Sequence, residues 1–248
     1  MGIIDACLKL YEGRDYFVSY PARTERQEYW NQTRDPDGNI RDIRSERDLR
    51  KADVAYIADH LNRLPSGRVI DVGCGLGELL EQVDARHDRL GFDLSEAAVR
   101  ATGDLPGVSA ERRAFTEGCV DPGSCRAIVA HHVIEHMEDP VAFVKVVRTS
   151  LSDGGVFVCG TPNFACAAAR IYGDRFRLLH DPTHVALFTD ESLMRLLRDV
   201  GFRIVSVEYP FFGTRYATDE AWRKMLAGDA PVSPPFWGSF VTVFAEKD

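Results

Sequence analysis

Long apolar runs, an excess of positive charge and closely paired cysteines are all missing from this sequence. No stretch approaches the ~18 consecutive apolar residues that a membrane-spanning helix needs, so we expect no membrane contact. The chain has 30 Lys and Arg residues against 38 Asp and Glu residues, a net charge of -8. Nucleic-acid binders usually present a basic face, so no nucleic-acid partner is predicted. None of the six cysteines forms a C-x-x-C pair, which favours reduced thiols in a cytoplasmic protein.

Strand and helix patterns alternate along most of the 248-residue chain. Short apolar runs predict strands, and apolar residues at helical spacing predict helices. The predicted strands cover 68–73, 89–93, 108–115, 126–131, 155–160, 202–209 and 239–246. The predicted helices cover 45–64, 77–84, 95–102, 139–151, 190–200 and 220–227. This alternation with short turns predicts an α/β fold, in which a mostly parallel sheet carries helices on both faces.

A glycine-rich turn follows the first of these strands. Gly73, Gly75 and Gly77 have the spacing G-x-G-x-G, and a carboxylate at Asp93 ends the next strand. Such an arrangement places bare backbone under a nucleoside and an acid on its ribose hydroxyls. A dinucleotide fold would carry glycine at the sixth position of the motif, where this chain has Glu78. An NAD-dependent oxidoreductase is therefore a weaker interpretation, because acids at the turn would repel a pyrophosphate.

The run from Val69 to Gly77 resembles motif I of the class I S-adenosylmethionine-dependent methyltransferases. The resemblance implies a Rossmann-like, seven-stranded, mostly parallel sheet whose last strand is antiparallel. It also implies S-adenosylmethionine as cofactor and S-adenosylhomocysteine as product. Asp71 would support the turn and the ammonium end, Asp93 would hold the ribose, and Leu94 and Phe115 would flank the adenine. The cofactor-binding residues expected from the resemblance are Asp71, Gly73, Cys74, Gly75, Gly77, Asp93, Leu94, Phe115 and His131.

Two histidine-bearing segments carry the expected chemistry. The first, residues 130–140, resembles the E-H-x-x-D-P block of small-molecule methyltransferases of the ubiquinone and sugar O-methyltransferase type. The second, residues 179–189, is similar to the family's H-x-x-x-F-(S/T) segment, which would line the acceptor pocket. A histidine with a pKa near neutrality can take a hydroxyl proton as the methyl group moves. The predicted catalytic residues are His184, His136 and His132.

The first histidine segment also spells H-x-x-E-H, a zinc-protease motif. That motif needs a continuous helix, whereas here it directly follows a predicted strand. Some ubiquinone-type relatives place a divalent ion beside an acid and a histidine in this block. Their acid falls where this chain has His132, so no metal site is predicted. Glu135 and His136 stand as the weaker metal-binding alternative.

The resemblance divides the chain into an N-terminal cap or lid, residues 1–44, and a methyltransferase domain, residues 45–248, with a lid insertion near 210–236. It implies a small-molecule acceptor. A sugar or nucleotide-sugar hydroxyl is the first expectation, and a phenolic or polyketide hydroxyl is the second. An alternative is an idle cofactor-binding module that serves as a partner or scaffold subunit. DNA adenine methylases would carry D-P-P-Y or N-P-P-Y after the fourth strand, and this chain carries neither there.

Overall fold

The computed structural model describes residues 3–11, 15–19, 32–34, 40–42, 46–181, 183–210, 219–228 and 237–248. None of the helices in these ranges has both the length and the apolar character needed to cross a bilayer.

From residue 47 onward helices and strands follow the predicted order, except that the predicted helix at 77–84 is not present. The helices are α1 (Ile3–Leu8), α2 (Arg47–Leu61), α3 (Glu96–Gly103), α4 (Pro140–Ser150), α5 (Ala167–Tyr172), α6 (Asp190–Val200) and α7 (Asp219–Ala227). The strands are β1 (Val18–Ser19), β2 (Gln32–Arg34), β3 (Ile40–Asp42), β4 (Arg68–Val72), β5 (Asp88–Asp93), β6 (Val108–Arg112), β7 (Cys125–His131), β8 (Leu151–Pro162), β9 (Ala186–Leu187), β10 (Phe202–Glu208) and β11 (Phe240–Lys247).

Seven strands form one sheet in the order β10-β11-β8-β7-β4-β5-β6. The strands from β4 to β8 pair in parallel with their neighbours in this group. The last strand, β11, lies between β8 and β10 and is antiparallel to both. This topology confirms the predicted fold. The carboxyl ends of the parallel strands share one edge, where ligands bind in open α/β sheets.

The two faces of the sheet are buried by different helices. Ile128 and Ala130 of β7 belong to one apolar cluster, which also contains side chains of α4 and α6. Ala127 and Val129 belong to a second cluster, which contains side chains of α2. Successive side chains of a strand point to opposite faces, so β7 is covered on both sides. Its carboxyl end is therefore held rigidly at the centre of the sheet.

The predicted helix at 77–84 is not present; this segment is a succession of turns. Two of its carbonyl groups bond to a side chain from another strand. The buried guanidinium of Arg89 donates from Nη1 to the carbonyl oxygens of Leu80, at 3.2 Å, and of Val83, at 3.1 Å. Because a side chain from β5 satisfies these two carbonyl groups, they need no helical hydrogen bonds, and the segment packs under the glycine turn without forming a helix.

The N-terminal segment packs against the second histidine-bearing segment. Val18 of β1 pairs with Leu187 of β9 in an antiparallel register. The rings of Phe17 and Phe188 lie 5.5 Å apart. Arg195 of α6 donates to the carbonyl oxygen of Leu10 at 2.9 Å. The start of the chain therefore lies beside the predicted acceptor side of the sheet.

Much of the predicted cap and of the predicted lid lies outside the described residues. These parts are 1–2, 12–14, 20–31, 35–39 and 43–44 in the cap, and 211–218 and 229–236 in the lid. The cap at 1–44 and the lid at 210–236 therefore stay predictions.

Candidate active site

The turn after β4 presents backbone rather than side chains to the crevice. Gly73, Gly75 and Gly77 have φ angles of +72°, +55° and +80°, in the left-handed region that glycine tolerates best. The Gly73 N–H donates to the carbonyl oxygen of Phe92 at 2.7 Å, which ties the turn to β5. A Cβ atom on Gly73 would lie only 2.5 Å from Cγ2 of Val133. Gly73 is therefore required by both its conformation and its surroundings.

Asp93 fixes the geometry between the turn and β5. Its Oδ2 accepts a hydrogen bond from the N–H of Gly75 at 3.1 Å, and its Oδ1 accepts one from the N–H of Ser95 at 2.8 Å. The hydroxyl of Thr102 donates to the carbonyl oxygen of Gly75 at 2.9 Å. The carboxylate thus lies at the carboxyl edge of the sheet, where the resemblance places the ribose. Its role as the ribose ligand stays a prediction.

Acidic side chains surround the buried side of the turn. Asp71 and Glu78 are both buried. Burial, followed by the charges of Glu78 and Asp93, raises the pKa of Asp71 well above its ordinary value. Arg50 of α2 pairs with Glu78 at 2.9 Å. Two carboxyl groups, one with a raised pKa and one paired with Arg50, therefore lie beneath the turn.

Three predicted cofactor residues differ in what they expose. The Cys74 thiol is buried beneath Gly91, so only the backbone of Cys74 is available to a ligand. Leu94 is 48% exposed directly after Asp93, as an adenine contact requires. Phe115 is buried, and its ring packs edge-on against Phe92 at 5.2 Å. The ring of Phe115 is therefore part of the core beneath the crevice.

His131 ends β7, and His132 follows it next to the glycine turn. The His131 side chain lies against Gly160 of β8, where any Cβ atom would collide with it. Burial, followed by the neighbouring His132, lowers the pKa of His131 well below its ordinary value, so its imidazole is neutral. His132 has a φ of +58°, and it is the single non-glycine residue with a positive φ in the described ranges. Such strain is typical of functional positions.

Glu135 is the buried centre of the histidine group. Its side chain is 1% exposed, and its Oε2 accepts a hydrogen bond from the Thr161 hydroxyl at 3.1 Å. Its Oε1 lies 3.3 Å from Nδ1 of His132. Burial alone would raise the pKa of Glu135, but the hydrogen bond from His132 and the nearby His136 outweigh it and lower the pKa to about 2. The carboxylate is therefore ionised inside the protein.

His136 and His184 converge on the same carboxylate from two segments of the chain. Nδ1 of His136 lies 2.9 Å from the carbonyl oxygen of Thr183, and Nδ1 of His184 lies 2.9 Å from that of Leu178. The two rings are 5.0 Å apart. One donor atom from each of Glu135, His136 and His184 lies within 4.8 Å of the others. The structure thus brings together all three histidines that were predicted to be catalytic, although their roles stay predictions.

Sequence reasoning missed two residues that hold this site together. Thr161 was assigned no role, yet its hydroxyl anchors Glu135. Its position at the carboxyl end of a central strand is the signal that could have found it. Arg50 is absent from the predicted site residues, but it pairs with the buried Glu78. That contact joins segments far apart in the chain, so the local charge pattern does not reveal it.

Comparison with known proteins agrees with this geometry. A family model described as "Methyltransferase domain" matches residues 43–207. Ubiquinone biosynthesis O-methyltransferase of Idiomarina loihiensis is 28% identical over 138 residues, which are 52% of this chain and 55% of that protein. The enzyme of the same name from Burkholderia pseudomallei is 26% identical over 175 residues, 65% of this chain and 75% of that protein. The chain thus spans only about half the length of some curated relatives.

The fold is similar to that of a solved structure of a S-adenosylmethionine-dependent methyltransferase from Archaeoglobus fulgidus. The TM-score is 0.61 at 19% identity, over 81% of this chain and 94% of that one. The family model covers well over half of the chain, and it includes the glycine turn, Asp93 and the histidine group. The chain therefore belongs to the methyltransferase domain family and has the fold of the class I S-adenosylmethionine-dependent methyltransferases.

Proposed function

We propose that the chain transfers the methyl group of S-adenosylmethionine to a hydroxyl oxygen of a small molecule. The cofactor would lie over the turn from Gly73 to Gly77, with its ribose hydroxyls on Asp93. Three carboxyl groups, Asp71, Glu78 and Asp93, face or support this turn. Acidic residues at this turn disfavour a pyrophosphate and are compatible with the cationic S-adenosylmethionine. Transfer of the methyl group leaves a neutral thioether.

The observation that carries this proposal is the position of His132. A carboxylate only accepts hydrogen bonds, so Nδ1 of His132 donates to Glu135. In the neutral ring the lone pair is then on Nε2, and the side chain is 32% exposed at the carboxyl edge of the sheet. In the proposed step the acceptor oxygen forms a bond to the methyl carbon, the bond from carbon to sulfur breaks, and the hydroxyl proton passes to Nε2. Thr161 and Glu135 hold the ring for that transfer.

The names of the relatives favour a phenolic acceptor. Both curated relatives are named O-methyltransferases of ubiquinone biosynthesis. A phenol ionises more readily than a sugar hydroxyl, so it needs less help from a base of imidazole strength. We therefore place phenols first, and the sugar or nucleotide-sugar hydroxyl expected from the sequence second.

The test is the transfer of label from methyl-labelled S-adenosylmethionine to phenols, nucleotide sugars, proteins and RNA. Label on phenols supports the whole proposal, whereas label on nucleotide sugars alone would mean that the acceptor is a sugar hydroxyl and not a phenol. Cofactor binding without transfer to any small molecule would favour the idle binding module. His132→Ala should lower turnover by about 100-fold or more while leaving the binding of S-adenosylhomocysteine intact. His60→Gln is the matched control. His60 is also a histidine, but it lies on α2 and packs against Phe244 rather than in the group around Glu135.

A further inference from the structure

Phe240 lies at the carboxyl edge of the sheet, beside His132. It is the first residue of β11 and pairs with Pro162, the last residue of β8. Because β11 is antiparallel to β8, its beginning meets the carboxyl end of β8, at the edge where ligands bind in such sheets. The N–H of Asn163 donates to the carbonyl oxygen of Ser239 at 2.8 Å, which continues the pairing beyond the two strands. The position of Phe240 is therefore fixed by strand pairing.

The ring of Phe240 contacts two different parts of the structure. Its centroid lies 5.0 Å from that of the His132 imidazole, and the two ring planes are at 87°. Phe240 also packs against an apolar cluster that includes Phe164, which follows β8, and Phe176, which precedes β9. The side chains of Phe240 and His132 are nevertheless only partly buried. An aromatic ring and the proposed proton acceptor thus border the same part of the crevice.

The imidazole of His132 is held in one orientation relative to Phe240. Its Nδ1 lies 3.3 Å from Oε1 of Glu135, and the His131 ring lies 4.4 Å from it on the adjacent residue. The His131 ring in turn lies against Gly160 of β8. Because the rings of His132 and Phe240 are in contact, the group that carries a hydroxyl at Nε2 of His132 lies within reach of the Phe240 ring.

We propose that Phe240 is a specificity-determining residue, whose ring packs against the aromatic ring of a phenolic acceptor. Aromatic pairs with centroids roughly 4.5–7 Å apart gain more than their buried area alone supplies. A saturated ring, such as that of a sugar, lacks the π face that this interaction uses, and its further hydroxyl groups would lose hydration against an apolar side chain. The inference rests on the proposed function and deepens it, since it assigns the preference for a phenol to one residue of this chain.

The test is an NMR titration of catechol, and of its saturated analogue cyclohexanediol, into protein saturated with S-adenosylhomocysteine. Phe240→Leu should raise the dissociation constant of catechol by about 2- to 12-fold and leave that of cyclohexanediol unchanged. Phe240→Tyr keeps an aromatic ring and should bind catechol as the unaltered protein does. In turnover with the labelled cofactor, Phe240→Leu should raise the KM for catechol by a larger factor than it lowers kcat.

Phe244→Leu is the matched control for the loss of a ring. Phe244 lies on the same strand as Phe240 and on the same face, farther from the carboxyl edge, and it is buried in the cluster that contains side chains of α2. Because it is the more deeply buried of the two, Phe244→Leu should lower the free energy of unfolding more than Phe240→Leu does. It should nevertheless leave the binding of catechol unchanged.

Equal binding of catechol by the Phe240→Leu variant and the unaltered protein overturns the proposal, and so does an equal loss for catechol and cyclohexanediol. Absence of catechol binding by the unaltered protein overturns it as well. Methyl transfer is measured separately, so transfer to nucleotide sugars without catechol binding would refute the role of Phe240 and leave transfer to a hydroxyl in place. Catechol binding that depends on Phe240, without transfer to any acceptor, would instead refute the proposed function.

Discussion

Gly73→Ala should destabilise the protein by more than its backbone conformation explains. Gly73 has a φ of +72°, where an added Cβ atom costs about 1–2 kcal/mol. That atom would also lie 2.5 Å from Cγ2 of Val133, and overpacking of this kind costs roughly 1–3 kcal/mol. The free energy of unfolding should therefore fall by about 2–5 kcal/mol. The binding of S-adenosylhomocysteine should weaken as well, because the turn must shift to make room.

Two other glycines separate the backbone contribution from the steric one. Gly118 has a φ of +82°, but a Cβ atom there would meet no heavy atom within 4 Å. Gly118→Ala should therefore lose only about 1–2 kcal/mol. Gly103 ends α3 with the same open space and has no positive φ, so Gly103→Ala should be neutral or gain up to about 1 kcal/mol.

The assay is urea unfolding of the three variants, with calorimetric titration of S-adenosylhomocysteine. Val133→Ala deletes the colliding methyl group, so the double variant with Gly73→Ala should lose less than the sum of the two single changes. A Gly73→Ala variant as stable as Gly118→Ala would refute the steric argument. Strict additivity in the double variant would show that Val133 is not the neighbour that matters.

Three further changes test other parts of the site. Asp93→Ala should abolish the binding of S-adenosylhomocysteine in calorimetry, and retained affinity would remove Asp93 as the ribose ligand. Thr161→Val leaves Oε2 of Glu135 without its hydroxyl donor and should lower the free energy of unfolding by about 1–3 kcal/mol in urea, so an unchanged midpoint would contradict the role of this bond. Burial raises the pKa of Asp71 in the folded state. The contribution of this carboxyl group to the free energy of unfolding is therefore complete below its unfolded pKa, about 4, and is lost as the pH rises. The gain in stability from Asp71→Asn should therefore be larger at about pH 8 than at about pH 5, and equal gains would count against it.

The cofactor side of the site was predictable because its signals are local. Gly73, Gly75 and Gly77 lie within one turn, and Asp93 ends the next strand in sequence and in the sheet. Because β4 and β5 are adjacent parallel strands, their carboxyl ends bring these residues together at one edge of the sheet. The helix predicted at 77–84 failed for the opposite reason. Its apolar spacing is helical, but Arg89, which lies on β5, donates hydrogen bonds to two of its carbonyl groups.

The acceptor side depends on contacts between distant segments. His184 reaches Glu135 because the Val185 N–H donates to the Glu135 carbonyl oxygen at 2.8 Å, which joins the loop before β9 to the end of β7. Val18 of β1 pairs with Leu187 of β9, the strand that follows this loop, and so supports the loop from the N-terminal segment. No periodic pattern encodes either contact. Histidine positions in the sequence therefore predicted residues that the fold brings together, while only the fold shows that their Nδ1 atoms face backbone or carboxylate acceptors.

That commitment decides what the histidine group can do. Three imidazoles spread over a surface would titrate independently and would suit any proton transfer. Here the Nδ1 atom of each catalytic candidate faces an oxygen that only accepts, so each ring keeps its lone pair on Nε2. Glu135 lies at their centre with its charge retained. A ring whose donor is already used cannot give a second hydrogen bond while neutral, so the group is built to receive a proton or a cation from the crevice rather than to supply one.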